Sequence, residues 1–263
     1  MRAPELSPRT YLNLLDSTHV AVSSFNGRGL IVNRRLRRLK VHPALILTND
    51  GLAPDTNYWV YVRRFAGREQ AVARPYPSIA GWSWNYQGGQ QVNSKDHGES
   101  LVGMLRTNGD GEFEQSPQKL LVISWSNWWL LHAQATFAEE KTASSASYAA
   151  VDTAARVELL SWGYAQLATF SGVARGSVDG VSLDLAIHMD RDATSGGQLL
   201  ALPTIVLGTR EQNVSFSRYL STTFSAPDAL PTDGYHTFDL VAKVTGGSAI
   251  FPQGCVLGVG LCG

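Results

Sequence analysis

The feature that most restricts this chain is a hydrophobic alternation of period two. In Val181–Met189 the apolar residues Val181, Leu183, Leu185, Ile187 and Met189 interleave with Ser182, Asp184, Ala186 and His188. Side chains alternate across a strand, so this pattern gives one face for a core and one for solvent. The signal recurs at 18–25, 57–62, 100–107, 213–219 and 235–244, with shorter apolar runs at 30–33, 44–48, 120–125, 156–162, 167–170, 199–202 and 204–207. Turn residues separate them: Asn26-Gly27, Asn49-Asp50-Gly51, Asp179-Gly180 and Gly246-Gly247. One short helix is expected over residues 5–17, with Pro8 near its start and Leu12, Leu14 and Leu15 along it. Strands do not alternate with helical patterns, which excludes doubly wound α/β sheets and TIM barrels.

The expected fold is therefore all-β. An N-terminal β-rich domain spans 1–135. A stretch rich in Ala, Ser, Thr and Glu follows at 136–150, as a linker or short helix. An antiparallel β-sandwich of jelly-roll type occupies 151–263. The run from Leu120 to Trp125 is expected to begin one long apolar strand reaching toward Trp128 and Trp129, whereas 75–89 reads as loop. At 263 residues the chain buries a sizeable core without cross-links. Its two cysteines, Cys255 and Cys262, suit free thiols better than a small disulfide loop. The first residues, broken by Pro4 and Pro8, contain no apolar leader, and no run approaches the roughly 18 apolar residues of a spanning helix. Folding in a cytoplasm without a membrane anchor is the expectation.

Catalytic chemistry finds little footing. The sequence has no G-x-S-x-G, and His19, His42, His97, His132, His188 and His236 stand singly. The densest set of potential ligands is His188, Asp190 and Asp192, which either share a strand face or begin a turn. Arg191 between the carboxylates argues against a cation there. Asn108-Gly109-Asp110-Gly111-Glu112 has calcium-loop composition, but strand flanks favour a hairpin turn. Carboxylates such as Glu158 and Asp184 show no spacing that singles out a glycosidase pair. No catalytic residue, cofactor or metal is expected.

Binding features stand out more. Trp82, Trp84 and Tyr86 lie among Gly and Pro, and Trp125, Trp128 and Trp129 follow later. Such rings either pack between sheets or serve as glycan platforms and interface anchors. Net charge is +0, yet residues 1–75 hold 12 Lys or Arg against 5 Asp or Glu, and 76–263 hold 10 against 17. The basic excess peaks at Arg34, Arg35, Arg37 and Arg38. On a strand, Arg35 and Arg37 share a side opposite Leu36, giving a guarded edge strand or a dock for an acidic partner. One stripe without a recognised module is poor support for nucleic-acid binding. Asn213-Val214-Ser215 matches a glycan-acceptor pattern and is read as incidental.

Several segments in order carry a resemblance. They are 16–22, Phe25-Asn26-Gly27 through Asn33, 51–62, 101–107, Gly111-Glu112-Phe113 and Ser124-Trp125. Over about 16–130, half of the chain, they resemble structural proteins of tailed bacteriophages and related prophage elements. Members commonly continue with a basic Asn-Arg pair after the Ser-Trp region, where this chain has Ser126 through Trp129. The resemblance implies a non-enzymatic virion component: a fibre, spike or decoration protein of a tail or head appendage. Residues 1–135 would act as attachment domain and the sandwich would face outward. It implies assembly in the host bacterial cytoplasm, a homo-oligomer such as a trimer, contacts with other virion subunits and a host-surface glycan as possible ligand. A virion-carried polysaccharide-active enzyme and a cellular carbohydrate-binding module are the alternatives.

Overall fold

A computed structural model describes residues 10–24, 29–32, 35–38, 45–75, 84–87, 90–93, 98–124, 131–161, 166–190, 198–201, 204–220 and 234–261. Among them every regular element is a strand, as the alternation requires. Two compact units form, one from 1–115 with 121–128 and the other from 116–120 with 129–263.

The first unit corrects the expected helix. Residues 10–16 form β1 (Thr10–Asp16), antiparallel to β2 (His19–Ser24), with Leu12 opposite Val22 and Leu14 opposite Val20. The leucines of this segment fit either period, and sheet pairing decides: Thr10 and Leu12 are buried at alternate positions. Two short strands, β3 (Gly29–Val32) and β4 (Arg35–Arg38), pair with each other, and β5 (Leu45–Thr48) completes a three-stranded sheet with β1 and β2. A six-stranded sheet contains β6 (Asn57–Phe65), β7 (Arg68–Pro75), β8 (Trp84–Gln87), β9 (Gln90–Asn93) and β10 (Glu99–Arg106), in the order β7-β6-β10-β9-β8. The chain then contributes β11 (Gln115–Ser116) and β12 (Lys119–Leu120) to another sheet, and returns as β13 (Val122–Ser124) on β10.

Leu12, Val20, Val22 and Leu47 of the smaller sheet pack on Tyr58, Val60, Val62, Val102, Leu105 and Val122 of the larger. Val102 is the extra residue of a β-bulge, since Leu101 pairs Tyr61 while Gly103 already pairs Val60. At Gly103 a Cβ would lie 2.2 Å from the Ile123 carbonyl oxygen and 2.5 Å from Leu12 Cδ1, so only glycine fits. The turn at 108–111 forms as expected: the Asn108 side-chain oxygen accepts from the amides of Asp110 (3.0 Å) and Glu112 (2.9 Å).

The expected long strand from 120 is broken at Leu121. Leu120 pairs Leu159 in one unit, and Val122 pairs Leu105 in the other. A continuous apolar run carries no alternation to show that its two halves belong to different sheets.

The second unit contains β14 (His132–Thr136), β15 (Lys141–Ala143), β16 (Ala149–Ala150), β17 (Val157–Ser161), β18 (Gln166–Gly176) and β19 (Val181–Met189). It continues with β20 (Gln198–Ala201), β21 (Ile205–Leu207), β22 (Gln212–Leu220), β23 (Gly234–Thr245), β24 (Ala249–Phe251) and β25 (Val256–Leu261). The stretch 136–150, expected as linker or helix, carries β15 on β24 and β16 on β23. Its small residues are neutral in propensity, and the neighbouring strands decide their state.

One sheet runs β14-β25-β18-β22, and the other runs β17-β23-β19 with β20 and β21 side by side on β19. Taking β20 and β21 as one interrupted strand, these eight major strands order as 1-8-3-6 and 2-7-4-5, which is the jelly roll. Phe170 is central between the sheets, with ring centroids 5.6 Å from Phe216 and 6.4 Å from both Phe137 and Phe251. Cys255 is a buried free thiol, pushed up in pKa by burial, and Cys262 lies outside the described residues.

Candidate interaction surfaces

The arginine stripe folds as β4, with Arg35 opposite Val32 and Arg37 opposite Leu30. Arg35 and Arg37 thus take the shared register expected of them, Arg38 takes the alternate one, and Arg34 lies outside the described residues. Among the described residues β4 pairs with β3 alone, so it is an edge strand. Trp84 and Tyr86, expected in a loop, sit on β8 opposite Asn93 and Gln91, at the edge of the six-stranded sheet. The tight β8–β9 pairing captures what Gly and Pro content suggested was irregular. Trp82, Trp125, Trp128 and Trp129 lie outside the described residues.

The β6–β7 hairpin adds a feature that the sequence reading missed. Ala66 (φ 48°) and Gly67 (φ 82°) make a two-residue left-handed turn, and Phe65 beside it is 59% exposed. The Arg63 guanidinium sits 5.5 Å from the Phe65 ring centroid, while an Arg64 terminal nitrogen donates to the Gly67 carbonyl (3.1 Å). Ala66-Gly67 directly after the alternating run was the available signal. Farther along the same sheet, buried Glu99 is held by Arg74, and burial together with the Glu99 charge pushes the Tyr61 hydroxyl well above its usual range.

In the second unit the two sheets have contrasting outer faces. On β17-β23-β19 charges are matched across strands. Arg156 grips the wholly buried Asp239 with two bonds, Nε to Oδ1 at 3.0 Å and a terminal nitrogen to Oδ2 at 2.9 Å. Lys119 and the Tyr235 hydroxyl (2.8 Å) meet Glu158, and Lys243 meets Asp184 at 3.4 Å. Glu158 and Asp184 stand opposite Thr237 and Lys243 of β23, six residues apart. That is about 20 Å along a strand, against roughly 5–9.5 Å for glycosidase carboxylates.

His188 and Asp190 meet different partners on β23. His188 stands opposite Asp239. Asp190 adopts φ 53° at the strand end, accepts from the Thr237 amide (2.8 Å) and pairs with His236 Nδ1 (2.7 Å). Its carboxylate thus ties the end of β19 to β23, and Asp192 lies outside the described residues. Among the described residues no group of three or more His, Cys, Asp or Glu gathers in a way that could hold a metal ion.

The outer face of β14-β25-β18-β22 is different. Strand register aligns His132, Gly260, Leu167 and Tyr219 in one row; Gln134, Gly258, Thr169 and Ser217 in the next; and Thr136, Val256, Ser171 and Ser215 in a third. Val173 and Asn213 extend it. None is charged. A Cβ at Gly258 would meet His132 Nε2 at 2.8 Å and Thr169 Oγ1 at 2.9 Å, so imidazole and hydroxyl lie down over the glycine strand. This face was invisible before pairing was known, because its residues come from four separated segments.

No protein-family model matches the chain, and no curated protein matches it. Solved structures give distant likenesses. A chain of infectious bursal disease virus, Gx strain, is 14% identical with a TM-score of 0.36, covering 98% of this chain and 66% of that one. A chain of T=1 particles derived from the same virus is 12% identical with a TM-score of 0.38, over 97% of this chain and 64% of that one. Eiger TNF from S. frugiperda is 11% identical with a TM-score of 0.34, over 51% of this chain and 93% of that one. The chain spans about two thirds of the length of the viral chains it is similar to.

Proposed function

We propose that this protein is a non-enzymatic structural component of a virus particle. In this reading it is a fibre, spike or decoration protein on a bacteriophage tail or head, assembled in the host bacterial cytoplasm and acting in assembly and host-surface attachment. The observation that carries the reading is the jelly-roll order of the second unit, an architecture used by viral capsid and lectin domains, joined to a β-rich first unit whose segments resemble phage structural proteins. Fold alone does not assign a role, and here sequence resemblance supplies the second support. The ion-paired state of Asp239, Glu158 and Asp184 supports binding rather than hydrolysis. An edge strand rich in arginine suits docking onto an acidic neighbouring subunit, and a closed homo-oligomer, a trimer for a fibre or spike, suits the assembly.

The test is incorporation. Particles assembled with the Arg35→Glu, Arg37→Glu double variant should carry much less of the protein than wild type, at equal expression and solubility. Unchanged incorporation refutes docking through β4, and absence of the wild-type chain from purified particles refutes the virion role.

A further inference from the structure

Five consecutive residues at the tip of the β6–β7 hairpin, Arg64 to Arg68, are exposed, although β6 is buried from Tyr58 to Val62. Between residues 63 and 69 the chain carries Arg63, Arg64 and Arg68 against one carboxylate, Glu69. Among the described residues none of these arginines forms an ion pair, and Glu99, the carboxylate in register with Arg63, is held by Arg74. Arg106 of the same unit likewise meets an acid, Asp55. The hairpin therefore gathers cations that the protein itself leaves uncompensated.

The turn between those cations is apolar. Phe65, Ala66 and Gly67 carry no polar side-chain group, and Phe65 stands opposite Arg68 across the two-residue loop. The Gly67 carbonyl accepts from Arg64 at 3.1 Å, so this acceptor keeps a partner when water is removed from the turn. The Arg63 guanidinium lies 5.5 Å from the Phe65 ring centroid, which sets a cation beside the ring. The result is an apolar cap collared by arginine.

This arrangement selects a lipid surface over other acidic partners. A stable protein interface covers roughly 800 Å² of each partner around several anchors, and the tip offers one ring. Single-stranded nucleic acid is tracked by successive aromatic platforms, whereas Tyr58, Trp59 and Tyr61 of β6 are buried and leave Phe65 alone. A bilayer interface requires no matching shape. It accepts the ring and small residues at the headgroup boundary, while arginine stems reach back to the phosphates.

We propose that the β6–β7 hairpin docks this protein peripherally on an anionic phospholipid surface. Phe65 enters the interface, and Arg63, Arg64 and Arg68 meet the headgroup phosphates. The inference goes beyond the virion reading and does not rest on it.

The full chain is sedimented with vesicles of phosphatidylcholine alone and of phosphatidylcholine with one third phosphatidylserine. Binding to the mixed vesicles, falling as salt is raised, is expected. Arg64→Gln with Arg68→Gln should weaken it about 25-fold, roughly fivefold for each charge. Phe65→Ala keeps every charge and should weaken it at least about tenfold, whereas Phe65→Leu, still apolar, should retain most of it. All three positions are exposed, so thermal unfolding should stay at the wild-type value. The proposal is overturned by absence of binding to the mixed vesicles, or by binding that survives either the arginine pair or Phe65→Ala. Equal loss in Phe65→Leu and Phe65→Ala overturns it too. Capture of a thymidine oligonucleotide without capture of vesicles does the same and gives the ring to a base. Particle incorporation separates the two readings: a chain that binds vesicles but is absent from particles leaves this surface standing and removes the virion role.

Discussion

Replacing Gly103 by Ala adds one methyl group where unit 1 leaves no room for it. The new carbon would sit 2.2 Å from the Ile123 carbonyl oxygen, against 3.4–4 Å for ordinary contact, and 2.5 Å from Leu12 Cδ1. Leu12 can change rotamer, but the carbonyl belongs to β13, whose register with β10 pairs Met104 with Ile123. Relief therefore requires shifting a strand by about 1 Å, and overpacking of this kind costs about 1–3 kcal/mol. The loss of glycine freedom in the unfolded chain offsets only about 0.4–1 kcal/mol. A net destabilisation of about 1.3 kcal/mol is expected, which lowers the melting temperature of a unit of this size by about 5 °C. Hydrogen exchange at the β10 and β13 amides reads it locally, and thermal unfolding reads it globally. A double-mutant cycle with Leu12→Ala should show partial relief, since the carbonyl contact persists. Wild-type stability and exchange in Gly103→Ala would refute both the bulge and the packing derived from it.

Two further perturbations probe electrostatics. Asp239→Ala leaves the partly exposed Arg156 guanidinium without its buried partner, and should cost about 2–4 kcal/mol in urea unfolding; pairing it with Arg156→Met should recover much of the loss. Asp16 is held at about 2, below its ordinary 3.8, chiefly by the Thr18 hydroxyl and amide and then by His19. A depressed carboxylate stabilises the folded turn above its unfolded pKa and loses that contribution as pH falls through the folded value, so Asp16 should remain ionised at pH 3. A side-chain carboxyl titration by NMR with a midpoint near 4 contradicts the hydrogen-bonded turn.

The all-β class and most strands were legible in the sequence because period two is a local property, written residue by residue in segments such as Val181–Met189. The turn at 108–111 was legible for the same reason, since Asn108 needs only its own neighbours to close it. Where a segment fits two periods, local information runs out. Residues 10–16 became a strand because β2 offered a partner, and the apolar run at 120–125 divided between two sheets because its pairing partners, Leu159 and Leu105, lie in different units.

The interaction surfaces show the same division. The arginine stripe and the Trp84–Tyr86 segment could be singled out as sequence, since each is contiguous, yet their edge positions came from pairing. His188 and Asp190 are near in sequence, yet strand pairing gave them different partners on β23. Gln134, Thr169, Ser215 and Gly258 are far apart in sequence and were made neighbours by strand register. The sequence by itself determined that this chain builds sheets, because the alternation of polar and apolar side chains requires faces. Which faces are charged and which are neutral was decided only by tertiary structure, because a sheet face is assembled from strands that the chain visits far apart and in a different order.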